Sequence, residues 1–162
     1  MTEDNPVTLT AEPRGREVVI ARVFDAPREL VFKKCTDPNL IKQWRGPNEY
    51  STAVDEMDVR FGGVWRYVQR GPDGNEFAFK GVYHTVMPPE RLAYTFKFEG
   101  MPSHVMFETA MFEEQDGKTT MTVIDVFQTV EDRDEALQSG MKDGATESMD
   151  RFAKLLQKLK GD

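Results

Sequence analysis

The chain has 162 residues, a formal net charge of -7 and a single cysteine. This length suits one domain with one sizeable core, and the acidic excess excludes nucleic acid as an expected partner because it would repel a phosphate backbone. A lone cysteine with two histidines provides neither an internal disulfide nor the ligands of a thiolate or imidazole zinc site, so we expect no metal or other cofactor.

The N-terminal segment, residues 1–15, is polar and contains Pro6, Pro13 and Gly15, which predicts a flexible arm. It carries acidic residues where a signal peptide carries basic ones. No apolar run in the chain approaches the ~20 residues of a membrane span. We therefore expect a cytoplasmic protein with no membrane span and a single folded domain over residues 16–160.

The first regular elements follow this arm. Residues 16–24 are rich in Val and Ile, which predicts a strand. Pro27 suits the first turn of a short helix that extends to Cys35. Asp37 followed by Pro38 has the pattern of an N-cap and a first helical residue, which predicts a second short helix.

Residues 53–129 have a sequence pattern typical of an antiparallel meander. Short apolar and aromatic runs alternate with turn sequences such as Gly62-Gly63 and Asp116-Gly117. Connections this short join antiparallel neighbours, since parallel strands need a longer crossover. We expect about six strands here. Gly62-Gly63 belongs to no phosphate-loop motif, so it indicates a bulge or a tight turn.

The last element is an amphipathic helix whose apolar residues recur at steps of three and four: Leu137, Met141, Ala145, Met149, Phe152, Leu156 and Leu159. Thr129 and Asp132 resemble a capping box at its start. Gly140 and Gly144 either break the helix, which we favour at Gly140, or allow close packing.

The order of elements predicts an α+β fold. An antiparallel sheet must bury one face, and the C-terminal helix is the one long amphipathic element available to cover it. We expect a curved antiparallel sheet of about 6–7 strands wrapped around that helix, with two short helices between the first and second strands.

Several motifs resemble those of the homologues of the heat shock protein 90 ATPase activator, a family within the START-like (SRPBCC) superfamily. The match covers almost everything from Arg16 to Leu159, and its main motifs are Arg22-Val23-Phe24-Asp25-Ala26-Pro27, Trp44-Arg45-Gly46-Pro47, and Arg60-Phe61-Gly62-Gly63-Val64-Trp65. The resemblance implies a helix-grip fold with a cavity between the sheet and the C-terminal helix. It also marks Arg45 as a departure, since many relatives carry a second tryptophan there.

The cavity that the resemblance implies would be lined by the aromatic strand faces, because side chains two residues apart on a strand point the same way. Two methionines of the helix stripe would face the same space. The candidate ligand-binding residues are Trp44, Trp65, Tyr67, Phe77, Phe79, Tyr83, Tyr94, Phe96, Phe107, Met111, Asp125, Met141 and Met149. Ordinary core packing is the alternative interpretation of these residues.

Few ionisable side chains point to catalysis, and we predict no catalytic residue. Asp125 interrupts an apolar strand face. If it is buried, it needs a partner, for which Arg66, Tyr67 and Tyr83 are the candidates; otherwise it faces solvent. His84 is expected to face solvent, His104 lies at a turn, and neither has an evident acidic partner. Cys35 is expected to be a small core residue.

Three functions fit this sequence. The first is the binding of a small apolar or amphipathic ligand in the cavity. The second is a protein-interaction or co-chaperone-like module, with a possible homodimer formed through an exposed sheet edge. The third is a cyclase- or hydrolase-type enzyme, which the wider superfamily includes. An enzyme requires at least two ionisable groups that converge in the cavity, so a wholly apolar pocket would remove its basis.

Overall fold

The computed structural model describes residues 5–160. The strands are β1 (Thr8–Thr10), β2 (Glu17–Phe24), β3 (Ser51–Met57), β4 (Val64–Arg70), β5 (Glu76–Met87), β6 (Arg91–Phe98), β7 (Val105–Gln115) and β8 (Lys118–Val126). The helices are α1 (Arg28–Cys35), α2 (Pro38–Trp44), α3 (Val130–Gln138) and α4 (Met141–Lys160). Within residues 5–160, no helix combines the length and apolar character needed to cross a membrane.

All strands form one antiparallel sheet in the order β1-β2-β8-β7-β6-β5-β4-β3. Strands β3 to β8 are the predicted six-strand meander, and β2 closes onto β8. The predicted α+β helix-grip architecture is confirmed, with eight strands instead of 6–7.

The additional strand lies in the segment predicted as a flexible arm. Thr8–Thr10 pair with β2, so that prediction is wrong for these residues. The buried Arg133 side chain of α3 donates from Nη1 to the Glu12 carbonyl oxygen at 2.7 Å and holds the following turn. The polar composition of the segment did not indicate this strand, which pairs with β2 and packs Leu9 against the core. Residues 1–4 lie outside the described residues.

Helices α2 and α3 begin at the caps that the sequence predicted. The Asp37 side chain accepts from the backbone N–H of Asn39 at the start of α2, and Thr129 accepts from that of Asp132 at the start of α3. The chain turns at Gly140, whose φ of +92° favours glycine. This turn separates α3 from α4 and confirms the break.

The C-terminal half of α4 closes the sheet. The Phe152 ring is 1% exposed and lies 5.3 Å from the ring of Phe24 and 4.7 Å from that of Trp44. The buried Arg22 side chain of β2 pairs with Asp150 of α4 at 2.9 Å. The sheet and the helix are thus joined by ring packing and by an ion pair at the same end.

A buried hydrogen bond connects the turn after β2 to β8. Thr119 is fully buried, and its Oγ1 donates to the Ala26 carbonyl oxygen at 2.7 Å. We expect Thr119→Val to lower the free energy of unfolding by about 1–3 kcal/mol, because it leaves a buried carbonyl group without its partner. Urea unfolding measures the change. Thr120→Val, at the exposed neighbouring position, is the matched control, and an equal loss in both variants would contradict the assignment.

Candidate functional site

A cavity of about 640 Å³ lies between the inner face of the sheet and α3 with the N-terminal half of α4. The exposed residues of its wall are on the β6–β7 loop, in α3 and at the α3–α4 junction: Met101, His104, Glu135, Ser139 and Gly140. This placement puts the mouth of the cavity between that loop and the junction.

Ten of the thirteen candidate residues line the cavity: Trp44, Trp65, Tyr67, Phe79, Tyr83, Tyr94, Phe96, Asp125, Met141 and Met149. Both tryptophans of the chain are among them. The structure therefore brings together aromatic residues of strands β4, β5 and β6 with methionines of α4. That they bind a ligand remains a prediction.

The other three candidates are not part of the wall, and their predicted placement is corrected. Phe77 packs with Tyr50 and Phe98. Phe107 is 38% exposed and contacts the His84 ring, and Met111 shares its side of β7. The pleat of β7 turns the even-numbered residues inward, including Glu108. The sequence prediction had placed the odd-numbered residues of β7 in the cavity because they include an aromatic ring, whereas the even-numbered residues include the charged Glu108.

A row of polar side chains crosses the inner face of the sheet. Asp125 on β8 lies directly opposite Glu108 on β7, Glu108 opposite Tyr94 on β6, and Tyr94 opposite Tyr83 on β5. The Tyr94 hydroxyl donates to the Glu108 carboxylate. The row places two carboxyl groups and two phenols in an otherwise mainly apolar wall.

Arg45 supplies the positive charge next to this row. Its carbonyl oxygen accepts from Thr52 Oγ1 at 2.8 Å, and Ser148 of α4 bonds both the N–H and the carbonyl of Gly46. These bonds hold the backbone so that the guanidinium lies 5.8 Å from the Trp44 ring and 5.6 Å from the Tyr67 ring.

The charge of Arg45 is stabilised by its neighbours. Burial lowers its pKa, but Tyr94, Glu108 and Tyr67 outweigh that effect, so the pKa is raised overall. Arg45 thus places a positive charge in the cavity wall.

Asp125 is buried, with 2% exposure, and its Oδ1 has no hydrogen-bond partner among the described residues. Burial raises its pKa well above the usual range, the negative charge of Glu108 and a hydrogen bond to it raise the pKa further, and Arg45 opposes them. Burial and Glu108 therefore both favour the protonated form of Asp125.

The sequence candidate Arg66 is not the partner of Asp125, because it pairs instead with Glu99 at 2.6 Å and with Asp55 at 3.2 Å. Glu108 was missed as a site residue. The signal was present, since Glu108 interrupts the inward series Met106, Ala110 and Phe112 as Asp125 interrupts its own strand.

The remaining ionisable groups of the wall are neutral or lie at the mouth. Burial raises the pKa of Cys35 to about 12, which fits a buried thiol without nucleophilic character. Burial also raises the pKa values of Tyr83 and Tyr94. His104 does have an acidic partner, contrary to the sequence expectation: its Nδ1 lies 2.9 Å from Asp132 Oδ1.

The raised pKa of Asp125 predicts a pH-dependent stability difference. The folded protein binds this proton more tightly than the unfolded chain, in which the pKa of an aspartate is about 3.9. Relative to Asp125→Asn, the wild type is therefore most stable in acid and loses up to about 1.4 kcal/mol per pH unit as the pH rises toward the raised pKa. Urea unfolding of both proteins across pH measures this difference. Parallel stability curves would contradict the assignment.

The comparisons with known proteins agree with this architecture. A crystal structure of a protein from Mycobacterium smegmatis superposes with a TM-score of 0.84 at 26% identity, covering 93% of this chain and 97% of that one. A solution structure from Staphylococcus epidermidis gives 0.79 at 27% identity, with coverage of 92% and 94%. One from Arthrobacter aurescens gives 0.86 at 24% identity, with coverage of 93% and 91%.

No curated protein sequence matches the chain significantly. The family model described as "Activator of Hsp90 ATPase homolog 1-like protein" matches residues 25–157. This match extends from the turn before α1 into the last turns of α4, so it includes most of the helices and strands that enclose the cavity, but not β2, which contributes Ile20 and Phe24. The chain belongs to the family of activator of Hsp90 ATPase homolog 1-like proteins.

Proposed function

We propose that the protein binds a small amphipathic ligand, with its apolar body among the aromatic rings and its polar group toward Asp125, Glu108 and Arg45. The observation that carries this proposal is the cavity of about 640 Å³ that opens beside α3 and has a mainly apolar wall with one polar row. Ligand sites in proteins have this size and this combination of apolar lining with few polar groups.

The cavity is much larger than ordinary packing defects, because protein interiors contain few voids larger than a water molecule. Small residues of α4 help to keep it open. A Cβ atom added at Gly144 would meet no heavy atom within 4 Å, although this glycine lies in a helix. Met141 and Met149 lie on the same wall and have flexible side chains that adapt to different ligand shapes.

The convergence of ionisable groups supports a second candidate, a cyclase- or hydrolase-type enzyme in the same cavity. A neutral carboxyl group beside a second carboxyl group is an arrangement that suits general acid and base catalysis. The test is hydrolysis of p-nitrophenyl esters of increasing acyl length. An enzyme would show turnover that Asp125→Asn abolishes, and rates equal to the buffer background would contradict this candidate.

The co-chaperone-like role remains an alternative prediction, as does a homodimer through an edge strand. The family description refers to an activator of Hsp90 ATPase, and strands β1 and β3 form the two edges of the sheet. The cytoplasmic location inferred from the lone cysteine and the N-terminal sequence also remains a prediction.

Filling the cavity tests the binding proposal. We expect Gly144→Leu to weaken binding of the neutral fluorescent probe N-phenyl-1-naphthylamine at least about tenfold, because the new side chain occupies the ligand space. The melting temperature should not fall, since leucine favours a helix over glycine. Probe emission measures binding, and quenching of Trp44 and Trp65 locates it in the cavity.

Gly144→Ala is the matched control, because it gives the same helix advantage while adding one methyl group. It should bind the probe nearly as well as the wild type. Absence of probe binding to the wild type, or equal affinity in the leucine variant, would contradict the proposal.

A further inference from the structure

We propose that the ligand of this cavity is an apolar amine, whose ammonium group binds at Asp125 and whose hydrocarbon body lies among the aromatic rings. This inference rests on the proposed function and adds the chemical class of the ligand to it. Three features carry it: an excess of acidic groups in the wall, a buried carboxyl oxygen without a partner, and an aromatic surround.

The charges of the wall favour a cation. Its acidic residues are Glu108 and Asp125 in the polar row and Asp132 and Glu135 near the mouth, whereas its basic residues are Arg45 and His104. Arg45 balances the charge of Glu108, so no basic residue of the row would balance Asp125 if it ionised. The net charge of -7 also favours the approach of cations over that of anions.

Asp125 has the carboxyl oxygen that lacks a hydrogen-bond partner in the described part of the chain. Its side chain is buried at the inner face of β8, and Oδ1 has no hydrogen-bond partner among residues 5–160. Buried polar atoms in proteins are normally paired, so an unpaired one in a cavity wall indicates where a ligand donor fits. An ammonium group has up to three donors and a positive charge, and both would be satisfied between Asp125 and Glu108.

Aromatic rings of neighbouring strands surround this end of the cavity. The Trp65 ring centroid lies 4.6 Å from that of Tyr67 and 5.7 Å from that of Tyr94, and Tyr94 is directly opposite Glu108. Aromatic faces attract cations, most strongly in desolvated sites. The same rings provide an apolar surface for the carbon chain next to the ammonium group.

The amine would replace a proton. Without ligand, Asp125 is neutral because burial and Glu108 raise its pKa. An ammonium group beside it would ionise it and release one proton. The groups that face this position are Glu108 on β7, Tyr94 on β6, Tyr83 on β5, Tyr67 on β4, Cys35 on α1 and Arg45 after α2. Affinity for the amine therefore increases with pH up to the raised pKa of Asp125.

Ligands with other polar groups match Asp125 less well. A fatty-acid carboxylate could face Arg45, but Glu108 already balances that charge, so the ligand would add a second negative charge beside Glu108. A neutral alcohol would donate one hydrogen bond to Asp125 and gain no charge interaction. The order of affinity at neutral pH is therefore amine, then alcohol, then carboxylate.

The test compares decylamine, decanol and decanoate, which share a carbon chain, as competitors of N-phenyl-1-naphthylamine below their micelle concentrations. We expect decylamine to displace the probe at a concentration at least about tenfold lower than decanol. Calorimetry in buffers of different ionisation enthalpy should show about one proton released per decylamine and none per decanol.

Asp125→Asn should remove the preference for the amine and the proton release while retaining decanol binding. Glu113→Gln, at an exposed acidic position of β7 outside the cavity wall, is the control and should change the preference less than about twofold. Proton release is measured on the unaltered protein and does not depend on whether the Asp125 variant folds; decylamine binding without proton release would contradict the proposal.

Tighter binding of decanol or decanoate than of decylamine would overturn the amine proposal and leave ligand binding intact. An unchanged amine preference in Asp125→Asn would overturn the assigned position of the ammonium group. If the probe and all three competitors fail to bind, the proposed binding function itself fails.

Discussion

The uneven contact of α4 with the sheet is the constraint on which the site depends. At its C-terminal half, Phe152 packs against Phe24 and Trp44, and Asp150 pairs with Arg22. At its N-terminal half, a Cβ atom added at Gly144 would meet no heavy atom of another element within 4 Å. One helix therefore closes the core at one end and leaves space at the other. This division allows a chain with one domain-sized core to be stable and to contain a cavity.

The polar row gives the cavity its chemical character. Asp125, Glu108 and Tyr94 occupy directly opposed positions on three adjacent strands, so their spacing is set by the sheet and not by flexible loops. Burial favours the protonated form of Asp125, and Tyr94 and Glu108 favour the charged form of Arg45 by offsetting the cost of burial. These two effects bring the row close to electrical neutrality.

The backbone next to Arg45 is held in place by α4. Ser148 and Arg151 of α4 bond the Gly46 backbone, so the helix that borders the cavity also fixes the loop that delivers the guanidinium. A tryptophan at this position would extend the aromatic wall, whereas arginine places a positive charge beside Glu108 and Asp125.

The sequence by itself determined the fold class, the helix break at Gly140, and most of the aromatic wall. Hydrophobic period, turn chemistry and capping are local properties, and they agreed with one another. Only the tertiary structure decided that Glu108 and not Phe107 faces inward, that Arg45 and not Arg66 lies near Asp125, and that Thr8–Thr10 form a strand. Strand parity, cross-strand register and partner choice depend on residues far apart in the chain, whose proximity no local pattern encodes.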